Sequence, residues 1–172
     1  STVSGAVVHH DAQGQPRADI PVVSSLGQNV WRYHPEQGRY EIYAEGGGNA
    51  FGVEFDAHGR IYSGHNGGDT RGFHYIQGGY WQKNFGKHGQ LSNPYAFGFH
   101  QPMRHHAVQR FTHTFAIYES TGLPARYEGH LFGVNPVEHH VVLSRIEPDG
   151  SSRRTHDVAQ VVSAGEGERA NW

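Results

Sequence analysis

Residues 51–62 read FGVEFDAHGRIY and decide the fold class. Two runs of apolar and aromatic residues flank Asp56-Ala57-His58-Gly59, in which Gly59 suits the positive φ of a turn, so the stretch predicts a β-hairpin. The glycine-rich segment GHNGGDTRG follows at 64–72. A hairpin with an Asp-x-x-Gly turn that leads into a glycine-rich loop favours a β-propeller, where inner strands end at loops over a central channel.

Two further blocks alternate bulky and polar residues around turn signals. The first block has predicted strands at 30–33 and 40–43 on either side of a turn at Pro35–Gly38. The second has predicted strands at 131–134, 139–146 and 151–158, and the last two are joined by a turn at Pro148-Asp149-Gly150. No stretch has sustained helical periodicity. We therefore predict an all-β chain whose inner strands are 51–62 and 127–134 and whose outer strands are 29–44 and 139–158.

These strands amount to a partial β-propeller of two to three blades, whereas a ring needs about four to eight. We predict one domain over residues 1–172, with a long functional loop at 64–110. The sequence begins without Met and stops at Trp172. We expect either a fragment of a longer protein or a ring completed by self-association.

Composition excludes several classes of function. The net charge of −2 gives no electrostatic case for nucleic acid as a partner. The chain has no Cys, so it has no disulfide and no Cys-x-x-Cys-His attachment site for haem. Neither a signal peptide nor an apolar run long enough for a membrane span is visible.

Several longer motifs resemble one bacterial family. They are QNVWRYHPE at 28–36, GGGN at 46–49, FGVEFD at 51–56, GHNGGDTRGFHY at 64–75, GKHG at 86–89, LSNPYA at 91–96 and LPARY at 123–127. They resemble the propeller domain of planctomycete and verrucomicrobial membrane-bound dehydrogenases, over about residues 25–160. The resemblance implies an oxidoreductase that is periplasmic or secreted, with a c-type haem in a separate domain.

More distantly, the chain is similar to glucose and sorbosone dehydrogenases, which use pyrroloquinoline quinone and calcium. That resemblance implies an activity on a sugar or another alcohol as the small-molecule substrate. Those enzymes place a catalytic His just before the strand that begins here at Phe51. This chain has Gly47-Gly48-Asn49 there instead, which counts against quinone-dependent oxidation.

The predicted catalytic residues are His65, Arg71 and His74, in and after the glycine-rich segment. His65 is the candidate general base, and the planar Arg71 fork suits a carboxylate or phosphate. The quinone or substrate would contact Arg71, His88 and Tyr95. The simpler alternatives are a turn stabilised by its Asn and Asp side chains and a salt bridge at Arg71.

Oxygen-bearing side chains suggest calcium, which prefers such ligands. The predicted ligands are Glu54, Asn66, Asp69 and Asn93; the alternative for Glu54 is that it simply faces solvent. The histidines that raise the question of a transition metal are His74, His88, His105 and His106. They lack a close ligand spacing, and the adjacent pair would point to opposite faces of a strand.

Aromatic residues are frequent between 75 and 99, where they could form a stacking platform for a sugar or quinone or simply pack in the core. They are Tyr75, Tyr80, Trp81, Phe85, Tyr95, Phe97 and Phe99. Three functions stay open: a sugar or alcohol oxidoreductase, a calcium-dependent propeller hydrolase such as a lactonase, and a carbohydrate-binding or assembly module without catalysis. Fold alone does not choose among them.

Overall fold

The structure is a computed structural model that describes residues 5–48, 50, 52–65, 69–83, 91–105, 114–136 and 139–164. These residues form strands and a single-turn 3-10 helix at Ala125–Tyr127. The strands are β1 Gly5–Val7, β2 Val23–Ser25, β3 Asn29–His34, β4 Arg39–Gly47, β5 Glu54–Phe55, β6 Ile61–Gly64, β7 Gly72–Tyr75, β8 Tyr80–Lys83, β9 Phe99–His100, β10 Phe115–Tyr118, β11 His130–Asn135, β12 His140–Asp149 and β13 Ser152–Ser163. The all-β prediction is confirmed.

The chain divides into two compact units, and the single domain over residues 1–172 stays a prediction. Unit 1 comprises Ser1–Gly48 and Ile76–His100, and unit 2 comprises Asn49–Tyr75 and Gln101–Trp172. Unit 1 contains the β1-β2 pair and a sheet of order β3-β4-β8-β9, in which β8 runs parallel to both neighbours. Ile42, Ala44 and Trp81 are among its buried apolar side chains.

A β-bulge in β4 prepares the site described below. Val30 pairs with Ala44 and Trp31 pairs with Ile42, so Tyr43 is the extra residue between them. The Tyr43 carbonyl accepts a 2.7 Å hydrogen bond from the backbone N–H of Gly78. The bulge thereby anchors the turn that leads into β8.

Unit 2 contains two antiparallel meanders, β5-β6-β7 and β10-β11-β12-β13. Tyr62, Met103, Phe115 and Leu131 form one buried cluster, against which Ile117 and Ile146 pack. Met103 lies between strands, whereas Phe115 and Ile117 of β10 alternate with the exposed Ala116, as a period of two requires. None of the described sheets closes on itself.

The three predicted hairpins are confirmed by the pairs β3-β4, β5-β6 and β12-β13. The segment 64–110, predicted as one long loop, instead contains β7, β8 and β9. These strands are only two to four residues long, too short for local alternation to identify them. A membrane-spanning helix is absent from the described part of the chain.

Candidate functional site

A buried carboxylate fixes one loop of unit 1. Glu45, fully buried in β4, accepts hydrogen bonds from the backbone N–H groups of Ser92 and Asn93 at 2.8–3.0 Å. The Asn93 amide donates to the Ile42 carbonyl at 3.2 Å, and its oxygen accepts from the Tyr95 N–H at 2.9 Å. The turn at Pro94-Tyr95 is therefore held by side chains that are themselves buried.

This loop forms one wall of a cavity of about 740 Å³ in unit 1. The volume lies within the range of roughly 300–1,000 Å³ that small-molecule sites have. The apolar lining includes Ile20, Val22, Tyr40, Ile42, Tyr95 and Phe97, and polar groups come from Gln77, Ser92 and Asn93 among others. An apolar cavity with a few fixed polar groups is typical of ligand-binding sites.

Two aromatic rings at this cavity face solvent. Tyr95 is 85% exposed and Phe97 is 60% exposed. The Phe97 N–H donates to the Gly78 carbonyl at 2.7 Å, and the Phe97 ring lies so close to Gly78 that a Cβ there would come within 2.8 Å of two ring carbons. Both rings are thus exposed although their backbone is fixed, which is the arrangement of contact residues rather than of core residues.

One ion-pair network borders the cavity. Glu41 accepts a 2.6 Å hydrogen bond from Arg32 Nε, and His34 Nε2 lies 3.1 Å from the same oxygen. Burial would raise the pKa of Glu41, but the hydrogen bonds from His34 and Arg32 outweigh it and hold the pKa below its ordinary value. Arg39 Nη2 is 3.9 Å from the second Glu41 oxygen.

The predicted catalytic histidines lie on opposite faces of the β5-β6-β7 sheet. His74 pairs across from Tyr62 and stacks on its ring, with ring centroids 5.1 Å apart. His65, just after β6, instead packs edge-on against Phe73 at 5.2 Å. Side chains alternate between faces along a strand, which accounts for the different neighbours of the two imidazoles. A role for either histidine alone stays a prediction.

Arg71 is the centre of a polar cluster in unit 2. Its side chain is 4% exposed and forms a bidentate ion pair with Asp157, at 3.2 Å from Nε and also through Nη2. Ser144 donates to Asp157 at 2.5 Å, and His105 Nε2 lies 3.3 Å away. Burial opposes ionisation of Asp157, but the hydrogen bonds from His105, Arg71 and Ser144 hold its pKa well below the ordinary value.

The Asp157 cluster matches the simpler sequence interpretation of Arg71 as an ion-pair partner. Ser, His and Asp are all present, but Ser144 is fully buried and donates to the carboxylate. A hydrolytic triad needs the serine to face a histidine base instead. The cluster borders a cavity of about 380 Å³, so a ligand role for Arg71 stays a prediction.

The predicted calcium ligands belong to different units, with Glu54 and Asp69 in unit 2 and Asn93 in unit 1. Glu54 accepts a hydrogen bond from the Phe55 N–H, Asp69 is exposed, Asn93 is bonded within unit 1, and Asn66 lies outside the described residues. No group of three or more His, Asp or Glu that could hold a metal ion occurs in the described ranges. Calcium binding stays a prediction, and no chemical step below uses it.

Comparison with known proteins identifies the family. The chain matches the family described as "Domain of unknown function (DUF7133)" over residues 7–165. The chain belongs to the DUF7133 family. No curated protein and no solved structure matches it. The description of DUF7133 states no activity, so the function has to be inferred from this member's own residues.

The predicted cofactor residues of this DUF7133 chain are divided between its units. Tyr95 lies in unit 1 and Arg71 in unit 2, while His88 is outside the described residues. Quinone binding by this set therefore stays a prediction. Of the predicted aromatic platform, Tyr75 and Trp81 are core residues, and burial raises the pKa of Tyr75 to about 12. Phe85 is not described.

Sequence reasoning missed most of the unit 1 cavity in this DUF7133 domain. It identified Tyr95 and Phe97, but not the wall formed by 20–24 and 39–42. One signal was available: Glu45 is the charged residue of the stretch IYAEGG at 42–47, and a buried carboxylate needs hydrogen-bond donors from elsewhere in the chain. The sequence does not show that these donors are at residues 92 and 93.

Proposed function

We propose that unit 1 is a carbohydrate-binding domain and that the cavity beside Tyr95 and Phe97 holds the sugar ring. The observation that carries this proposal is the pair of exposed rings on a loop fixed by Glu45 and Asn93. A sugar ring has an apolar C–H face and polar hydroxyl edges. The exposed rings suit the first, and the amide of Gln77 suits the second.

Preorganisation favours binding at this cavity. A ligand pays free energy for every side chain and loop that it has to order. Here the hydrogen bonds at Ser92, Asn93 and Tyr95 have already fixed the loop, so that cost is small. The proposal belongs to the third function that the sequence left open, and it also supplies the substrate site that a sugar oxidoreductase would need.

The test is isothermal titration calorimetry of the whole chain with D-glucose and cellobiose. We expect saturable binding that Tyr95→Ala and Phe97→Ala each weaken about tenfold or more. Phe99→Ala is the matched control, because Phe99 is similarly exposed in unit 1 but does not line the cavity. Equal losses for Phe97→Ala and Phe99→Ala, or no binding of either sugar, would overturn the proposal.

The same preparation separates the catalytic alternatives. Reduction of a redox dye by glucose, only after pyrroloquinoline quinone is added, would add an oxidoreductase activity to the binding function. Chelator-sensitive opening of δ-gluconolactone without an electron acceptor would add a lactonase activity instead. If oxidation occurs, His65→Ala tests the predicted general base, and a kcat near that of the wild type would remove His65 from that role.

We further propose that β10-β11-β12-β13 corresponds to one propeller blade. Four antiparallel strands in chain order are the arrangement of a blade. The three-stranded β5-β6-β7 meander supports a second, incomplete one. The parallel pairs β4-β8 and β8-β9 do not follow the blade pattern. A crystal structure of the protein would test this, and a packing of these two sheets without a common axis would contradict it.

A further inference from the structure

The charged groups at the unit 1 cavity are unequal in number. Arg39 and Glu41 are the charged side chains in its described lining, and Arg32 pairs with Glu41 from the neighbouring strand. Two guanidinium groups therefore share one carboxylate. Because Arg32 donates a 2.6 Å hydrogen bond to Glu41, and Arg39 only approaches it to 3.9 Å, the excess positive charge belongs to Arg39.

Arg39 is placed to contact a ligand. Its side chain is 45% exposed, and within the described residues no hydrogen bond engages its guanidinium. The residue opens β4 directly after the turn at 35–38, and Tyr40 and Ile42 of the same strand line the cavity. Arg39 is itself one of the residues that line the cavity.

We propose that the preferred ligand is an acidic sugar, a hexuronic acid, whose carboxylate binds Arg39 while its ring contacts Tyr95 and Phe97. This inference rests on the proposed function and names its substrate class. An Arg fork and a carboxylate match in a bidentate geometry that a hydroxyl group cannot reproduce. A hexuronic acid combines that carboxylate with the same ring that a neutral hexose offers.

The competing charges near Arg39 do not cancel this preference. Glu41 is the described carboxylate in contact with Arg39, and it is neutralised by Arg32 and approached by His34. Arg17, which donates to the Gln37 carbonyl in the adjoining turn, is paired with Asp19. An incoming carboxylate at Arg39 therefore meets a net positive local charge.

The test compares D-glucuronate with D-glucose by calorimetry at low ionic strength, on the whole chain. We expect the wild type to bind glucuronate about tenfold more tightly than glucose or better. Arg39→Gln should remove that preference, so that glucuronate binds no more tightly than glucose. Arg39→Lys should restore only part of it, because lysine keeps the charge but not the fork. Added salt should weaken glucuronate binding and not glucose binding.

Arg145→Gln is the matched control. Arg145 is also about half exposed, and its Nε also lies 3.9 Å from a glutamate, Glu147, but it is in unit 2. Arg145→Gln should leave the affinities for glucose and for glucuronate unchanged. If glucose and glucuronate bind equally, this inference fails and the proposed function stands. If neither sugar binds, the proposed function itself fails. A preference for glucuronate that persists in Arg39→Gln would also overturn the inference.

Discussion

Gly78 lies directly beneath the Phe97 ring, and its replacement by alanine tests whether that ring forms part of the binding site. The new Cβ would lie 2.8 Å from Phe97 Cδ1 and Cε1 and 3.3 Å from the Tyr95 carbonyl oxygen. Carbon atoms in contact prefer about 3.5–4.0 Å, so the ring has to retreat by about 1 Å. A ring displaced by that distance loses roughly a quarter to a half of the dispersion energy of each of its contacts with the sugar.

We expect Gly78→Ala to raise the Kd for cellobiose about three- to tenfold, as measured by calorimetry. Gly78 also has φ +77°, where an alanine costs about 1–2 kcal/mol of backbone strain. Gly14→Ala is the matched control, because Gly14 has φ +79° in the same unit and no atom within 4 Å of its Cβ position. It should lower the free energy of unfolding by a similar amount and leave Kd unchanged.

A double-mutant cycle makes the prediction specific to the ring. In a Phe97→Ala background, Gly78→Ala should have no further effect on Kd, because the ring that it displaces is gone. Additive effects of the two changes would refute the reasoning. So would a Gly14→Ala variant that weakens binding as much as Gly78→Ala does.

The remaining predictions concern the loop, the ion cluster and self-association. Glu45→Gln should cost about 1–3 kcal/mol of stability in chemical denaturation, since the NH₂ group of the glutamine would face the N–H donors of the loop. Hydrogen exchange of the backbone N–H groups of Ser92 and Asn93 should become faster. Asp157→Asn should cost about 1–2 kcal/mol at pH 7, because it unpairs the buried Arg71. The pKa of Asp157 is lowered in the folded state, so its contribution to the free energy of unfolding is complete above about pH 4 and should shrink as the pH falls below that value. If Asp157→Asn and the wild type differ in stability as much at pH 3 as at pH 7, this reasoning is wrong. Sedimentation should detect self-association if partners complete the ring, and a strictly monomeric, cooperatively folded chain would contradict that expectation.

Local sequence predicted the hairpins because their determinants are adjacent in the chain. The turns at 35–38, 56–59 and 148–150 each carry Pro, Gly or Asp between alternating strands, and each joins the predicted pair. The same reasoning failed for 72–75 and 80–83. β7 is only four residues long, although its partner β6 precedes it directly in the order of strands. β8 pairs in parallel with β4, more than thirty residues earlier in the chain, and no turn signal marks such a register.

The candidate site could be predicted only in part for the same reason. Tyr95 and Phe97 stood out as aromatics in a loop, but their supporting contacts come from Glu45 and the Tyr43 bulge. The partner of Arg71 is Asp157, 86 residues away. The opposite orientation of His65 and His74 follows from strand alternation, yet it becomes visible only once β6 and β7 are known to pair.

An NMR titration of isotope-labelled protein with cellobiose tests the central claim most directly. The account predicts saturable shift changes concentrated at Tyr40, Gly78, Tyr95 and Phe97, with much smaller changes at the Asp157 cluster. Saturable changes confined to unit 2, with the residues of the unit 1 cavity unaffected, would contradict it.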